Sequence, residues 1–292
     1  MDQRIINLYD RFTHGGMNRR EFLDRLTELA GSAAAAAVLL PLLQSDYSKA
    51  ATIAPDDARL ATEKVTFDTP KGKATGYLAR PKDRAKRPAV VVIHENRGLT
   101  PHIEDVARRF ALEGFLALAP DLLSPFGGTP ADEDQARELF AAKIDRNDPS
   151  IPVAAVALMK SHAESTGKVG AVGFCFGGGM VDLLAMNSPI LDAAVAYYGP
   201  IPADKSKVKD IKAALLLHYA GLDTNLNAGI PAWEEALRAA GKRYTIYMYE
   251  GTQHAFNADT AGARYNKAAA DLAWGRTIAF LKENLGAPPR PA

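Results

Sequence analysis

The chain has 292 residues, of which 47% are hydrophobic and 24% charged, and its formal net charge is +1. That length can bury the core of one large α/β domain, and the near-neutral balance gives no reason to expect nucleic acid or an anionic membrane surface as a partner. A single cysteine rules out an internal disulfide and any cysteine-based zinc site, and leaves Cys175 as the one thiol that can do chemistry.

Residues 1–52 differ from the rest. Asn18-Arg19-Arg20-Glu21-Phe22-Leu23 resembles a twin-arginine export signal, residues 29–43 form an apolar run rich in Ala and Leu, and Ser48-Lys49-Ala50 offers a small-x-small cleavage site. The run is too short for an integral membrane span, and a twin-arginine signal is an address rather than an anchor. This reading predicts a periplasmic protein whose segment 1–50 is removed. Asp24, Arg25 and Glu28 interrupt the approach to the apolar run. The alternative is a cytoplasmic protein whose N-terminal helix, with Phe22, Leu26 and Leu29 on one face, packs on the catalytic domain.

From Glu63 the pattern turns to strand, turn and strand. Val65 and Phe67 alternate with polar residues, Lys71-Gly72-Lys73 reverses the chain, and residues 74–79 return. Residues 88–94 are a continuous apolar run, as a strand buried on both faces requires. Thr100 and Pro101 then open a helix, with Glu104 and Asp105 in its first turn. Residues 115–119, 169–173, 193–198, 214–219 and 244–249 are further strand candidates, and helices are predicted over 132–143, 151–164 and 265–285. Strands alternating with helices over 60–286 indicate one α/β domain with a mostly parallel central sheet of about 7–8 strands and helices on both faces. Residues 287–292 read as a loose tail.

Gly173-Phe174-Cys175-Phe176-Gly177 fits a small-x-nucleophile-x-small turn between a strand and a helix. Flanking glycines are needed there because a Cβ would clash, and the helix N-terminus favours the thiolate. Asp223 and His254 each follow a later strand. Nucleophile, acid and histidine in that order, each at the carboxyl end of a strand, is the chain order of the α/β-hydrolases, and open α/β sheets bind ligands along that edge. An imidazole activates the thiol, and the aspartate holds the imidazole in the right tautomer. No dinucleotide or phosphate loop appears, and His14, His102, His162 and His218 are scattered in sequence, so neither a cofactor nor a metal site is indicated.

Gly173-Phe174-Cys175-Phe176-Gly177-Gly178 together with Asp223, His254 and Glu95 resembles the dienelactone hydrolases (carboxymethylenebutenolidases), over about residues 62–285. The resemblance implies an α/β-hydrolase fold and hydrolysis of a lactone or activated ester through a thioester. It implies that Glu95 contacts the resting thiol and moves when substrate enters, and that the backbone N–H groups of Phe176 and Asn96 form the oxyanion hole. The two arginines that hold the substrate carboxylate in that family have no counterpart after Pro120-Asp121-Leu122 or within 255–258. Arg97 is the candidate substitute, and Tyr198 a candidate pocket residue. The rival reading is a non-catalytic or redox-responsive protein with Cys175 as oxidation sensor, against which the absence of a resolving cysteine counts.

Overall fold

The computed structural model describes residues 1–44, 46 and 52–289. An eight-stranded sheet runs in the order β1-β2-β4-β3-β5-β6-β7-β8. The strands are β1 (Leu60–Thr69), β2 (Gly72–Pro81), β3 (Arg87–Ile93), β4 (Leu116–Asp121), β5 (Ser165–Phe174), β6 (Ala193–Tyr197), β7 (Ala214–Ala220) and β8 (Tyr244–Tyr249). β1 and β2 are antiparallel and β2 is antiparallel to β4; all pairings from β4 to β8 are parallel. The apolar run of β3 is buried along its whole length, as a central strand covered on both faces must be. Helices α4 (Pro101–Leu112), α5 (Glu133–Lys143), α6 (Ser150–Ser161), α7 (Phe176–Asn187), α8 (Thr224–Asn227), α9 (Ile230–Ala239) and α10 (Lys267–Leu285) follow the strands.

Register sets the position of the site. Ile93 pairs with Gly173, Phe174 with Tyr197, Tyr197 with His218, and Ala220 with Tyr249. The carboxyl ends of β3, β5, β6, β7 and β8 are therefore level, and the residues after them share one edge of the sheet.

Some boundaries differ from the sequence reading. α6 stops at Ser161 rather than 164, because the Glu164 carbonyl accepts from Arg87 N–H at 2.8 Å and the chain is already turning into β5. α10 starts at Lys267 because the Asn266 side chain caps Ala269 N–H at 3.1 Å. The start of the tail is docked: Arg87 Nη1 donates to the Pro289 carbonyl at 2.6 Å. Residues 290–292, like Ser48-Lys49-Ala50, lie outside the described residues.

The N-terminal segment forms three helices, α1 (Gln3–Thr13), α2 (Arg19–Ala30) and α3 (Ala33–Leu43), with a small core of their own. Phe12 stacks on Phe22 at 4.5 Å and Tyr9 meets Phe22 edge-on at 5.9 Å. Such ring pairs add about 0.5–1.5 kcal/mol each beyond their burial. The segment is also tied to the rest of the molecule. The Asn96 amide donates to the Thr13 carbonyl at 2.6 Å, Arg264 pairs with Asp10 at 3.3 Å and lies over the Tyr9 ring at 5.0 Å, and the Arg137 guanidinium covers Phe12 at 4.4 Å. Arg19 pairs with Asp134. Phe22 and Leu26 are buried, whereas Arg20 is exposed. Among the described residues no single helix is long and apolar enough to cross a membrane; α2 and α3 pass that test only together, and they meet at 113°.

Candidate active site

Cys175 sits between β5 and α7 with φ 54° and ψ −120°. A Cβ on Gly173 would collide with the Gly177 carbonyl, and one on Gly177 with the Ile93 carbonyl. Both glycines are thus needed for the helix to start hard against the strand. Of four non-glycine residues with positive φ among the described residues, three lie at this edge: Cys175, Tyr198 (38°) and Ala255 (66°), the last beside His254. Each such conformation costs about 1–3 kcal/mol and persists only where the surrounding structure enforces it.

His254 Nδ1 donates to Asp223 Oδ2 at 2.6 Å. That fixes the tautomer and turns Nε2 away from Asp223; it is buried and, among the described residues, makes no hydrogen bond. A nitrogen of His254, a nitrogen of His14 and Cys175 Sγ lie within 4.8 Å of one another. His14 follows directly on α1, and its Nε2 is 3.2 Å from Cys175 Sγ while its Nδ1 donates to the Asp10 carbonyl at 2.6 Å. The two imidazoles meet edge to face at 4.9 Å. The His14 residue is exposed as a whole, but its inner ring edge reaches the buried thiol.

The charges follow from this arrangement. Burial alone would push the thiol up; the charges of His14 and His254, with the hydrogen bond from His14, outweigh it and bring it down to about 6. Burial opposes the imidazolium of His254, but the thiolate and Asp223 raise it well above the ordinary histidine range. His14 is raised too, its desolvation offset by Cys175. Asp223 is lowered because His254 outweighs its burial. The set favours a thiolate beside imidazolium over two neutral groups.

The chain's similarity to known proteins is consistent with this geometry. Residues 74–285 match the family model of the dienelactone hydrolase family. The chain belongs to that family. A candidate carboxymethylenebutenolidase from Escherichia coli O157:H7 is 34% identical over 244 residues, covering 78% of this chain and 89% of the relative. One from Saccharolobus solfataricus is 30% identical over 261 residues, covering 75% and 98%. The solved structure of a candidate dienelactone hydrolase from Klebsiella pneumoniae superposes with a TM-score of 0.67 at 28% identity, covering 77% of this chain and 99% of the other. Residues 1–31 match a separate family model, described as YqhI-like.

Within this dienelactone hydrolase fold, Phe176 is the first residue of α7, so its N–H has no partner within the helix. Asn96 and Glu95 follow β3 and, with Cys175, His254 and His14, line a cavity of only about 10 Å³ above the thiol. Among the described residues the thiol's hydrogen bond is made by His14, where the family resemblance implied Glu95. Arg97 is not a free cation at the mouth. It is buried, 3.2 Å from Glu133 and 3.4 Å from the Tyr9 hydroxyl. Tyr198 lies against His254 at 4.9 Å and Phe256 at 5.5 Å, and its hydroxyl is buried without a partner among the described residues. A second cavity, of about 220 Å³, lies between α1 and the loops carrying Asp223 and His254. His14 and His254 line both cavities and form the wall between them.

His14 is the residue that sequence reasoning missed. The histidines look scattered along the chain, but the fold brings one of them across 161 positions to the thiol. The available signal was the helical spacing of Ile5, Ile6, Leu8, Tyr9 and Phe12, all buried in α1 and its neighbours, which ends immediately before His14.

Proposed function

We propose that this dienelactone hydrolase relative opens lactones or cleaves activated carboxylic esters through a cysteinyl thioester. The observation that carries the reading is the Asp223–His254 hydrogen bond at 2.6 Å aimed at a thiol held on a strained strand-to-helix turn. The Cys175 thiolate attacks the substrate carbonyl and forms a C–S bond. The oxyanion is received by the backbone N–H groups of Phe176 and Asn96. The C–O bond then breaks, and the leaving alkoxide or enolate takes a proton from His254. Neutral His254 accepts a proton from water as it attacks the thioester, the C–S bond breaks, and thiolate is restored. Thiolate leaves a tetrahedral centre more readily than an amine does, so peptides are poor substrates.

A cavity of about 10 Å³ is the size of one water. A lactone reaches Cys175 only when the His14 ring moves and the small cavity joins the one of about 220 Å³ behind it. We therefore also propose that residues 1–44 stay with the working enzyme as the movable roof of its site, rather than being removed as an export leader. The contacts of Asp10, Thr13 and Tyr9 with Arg264, Asn96 and Arg97 support this.

Turnover of a chromogenic acetyl ester by the purified full chain, with Cys175→Ala as control and mass spectrometry of His254→Ala to trap the acyl group on Cys175, tests the chemistry. Undiminished turnover by Cys175→Ala would refute it. N-terminal sequencing of the protein from its native host tests retention: a start at Met1 or Asp2 supports the roof, and a start near Ala51 overturns it.

A further inference from the structure

The Cys175 cluster has the geometry of a ligand set as well as that of a catalytic triad. Cys175 Sγ, a nitrogen of His14 and a nitrogen of His254 lie within 4.8 Å of one another, with the His14 Nε2–Sγ distance at 3.2 Å. Ligand atoms around a tetrahedral zinc, at about 2.3 Å for sulfur and about 2.0–2.1 Å for nitrogen, are separated by distances of this order. Both rings are also oriented as metal-bound histidines are, each donating its other N–H to a carboxylate or carbonyl. His254 Nδ1 donates to Asp223, and His14 Nδ1 to the Asp10 carbonyl. His254 Nε2 is buried and has no hydrogen-bond partner among the described residues. The cavity that all three residues line is about 10 Å³, too small for an organic substrate, and Glu95 lines it too as a potential fourth donor.

We propose that Cys175, His14 and His254 form a binding site for a single zinc ion, which holds the N-terminal segment closed over the nucleophile. One thiolate with two imidazoles is a borderline-soft donor set that selects zinc over magnesium or calcium. On binding, the protons held by the thiol and the imidazolium groups pass to solvent, so affinity rises with pH. The bound ion occupies the nucleophile's lone pair and the base's Nε2 together, and therefore blocks hydrolysis. A single cysteine excludes a site built from cysteines alone; in the proposed site the other donors come from distant parts of the chain.

The site is tested on the full chain after chelator treatment, by titration with Co²⁺ as a spectroscopic stand-in and by zinc competition against a chromogenic chelator. The expected result is one metal per chain, tetrahedral Co²⁺ absorption with a thiolate charge-transfer band, and displacement of that spectrum by zinc. His14→Gln should weaken binding at least about tenfold, and Cys175→Ser should abolish the charge-transfer band. A wild-type chain that takes up Co²⁺ without that band, or takes up none, overturns the proposal, as does binding unchanged in His14→Gln. Ester turnover by the chelator-treated chain is read separately, so the failure of the zinc site leaves the hydrolytic reading standing, and the reverse.

Discussion

His14 Nε2 lies 3.2 Å from Cys175 Sγ, so an imidazole from the N-terminal segment, and not only His254, meets the thiol. His254, tied to Asp223, stands edge to face with His14 at 4.9 Å. Two cationic partners around one buried thiol explain why it falls to about 6 although burial pushes the other way. Losing His14 must therefore raise the thiol. The test is the pH profile of iodoacetamide alkylation. The wild-type midpoint should lie near 6 and that of His14→Ala higher, with slower labelling below about pH 7, where the ordinary thiol at about 8.5 is protonated. The plateau at high pH reports access and should rise, since the roof is opened. An unmoved midpoint would show that His254 alone sets the thiol.

The roof is held by its own small core, and that core can be weakened without touching the site. Phe22 is almost fully buried and packs against Tyr9 and Phe12. Phe→Ala at such a position costs about 3–5 kcal/mol, here charged to the docking of α1–α3 rather than to the sheet. Phe22→Ala should raise the alkylation plateau of Cys175 and hydrogen exchange in 3–13, while exchange in β3 and β5 stays protected. Loss of protection in β3 and β5 as well would mean that the segment and the sheet unfold together.

The central sheet was legible because parallel strands buried on both faces write themselves as apolar runs, as at 88–94, and because the elbow needs glycine at 173 and 177 for steric reasons alone. Asp223 and His254 were legible from their order and from their places after β7 and β8. The N-terminal contribution was not. Arg19, Arg20 and the Ala-rich run satisfy an export pattern and a packed helical pattern equally, and nothing local to Thr13-His14-Gly15 says where the ring will point. Arg97 was legible as a neighbour of the thiol, which it is, but not its pairing: its partner Glu133 comes from a helix that the local pattern does not connect to it.

Asp182 offers a test of the core. It is fully buried in α7, neither carboxyl oxygen has a hydrogen-bond partner among the described residues, and burial holds its pKa well above the ordinary value. The folded state thus keeps a proton that the unfolded chain gives up above about pH 4, so stability falls as pH rises from there toward the folded pKa. Asp182→Asn removes that loss. It should raise Tm at pH 7.5 and make little difference near pH 4. A Tm difference that is the same at both values would show that the carboxyl does not change charge on unfolding.

Substrate charge follows from Arg97. A buried carboxylate needs charge-assisted donors, best supplied by arginine, and the two arginines expected from the family are missing. Arg97 lines the thiol cavity, but Glu133 and the Tyr9 hydroxyl already engage it. Binding a substrate carboxylate there would mean parting it from Glu133. Neutral lactones and short activated esters should therefore be hydrolysed at least as well as carboxylated ones, and Arg97→Ala should act on stability instead. Breaking a fully buried pair costs about 3–5 kcal/mol; Glu133 is partly exposed, so the loss should be smaller and appear as a lower Tm. The measurement is kcat/KM for a matched carboxylate and methyl-ester pair on both proteins. The ratio should favour the methyl ester or be near one, and stay there in Arg97→Ala. A charge-assisted contact is worth about 1.5–3 kcal/mol, so a carboxylate preference that drops ten- to a hundredfold on substitution would show that Arg97 leaves Glu133 for the substrate. A preference that survives the substitution would place the cation elsewhere, and Arg11, which lines the larger cavity beside His254, would be the next residue to change.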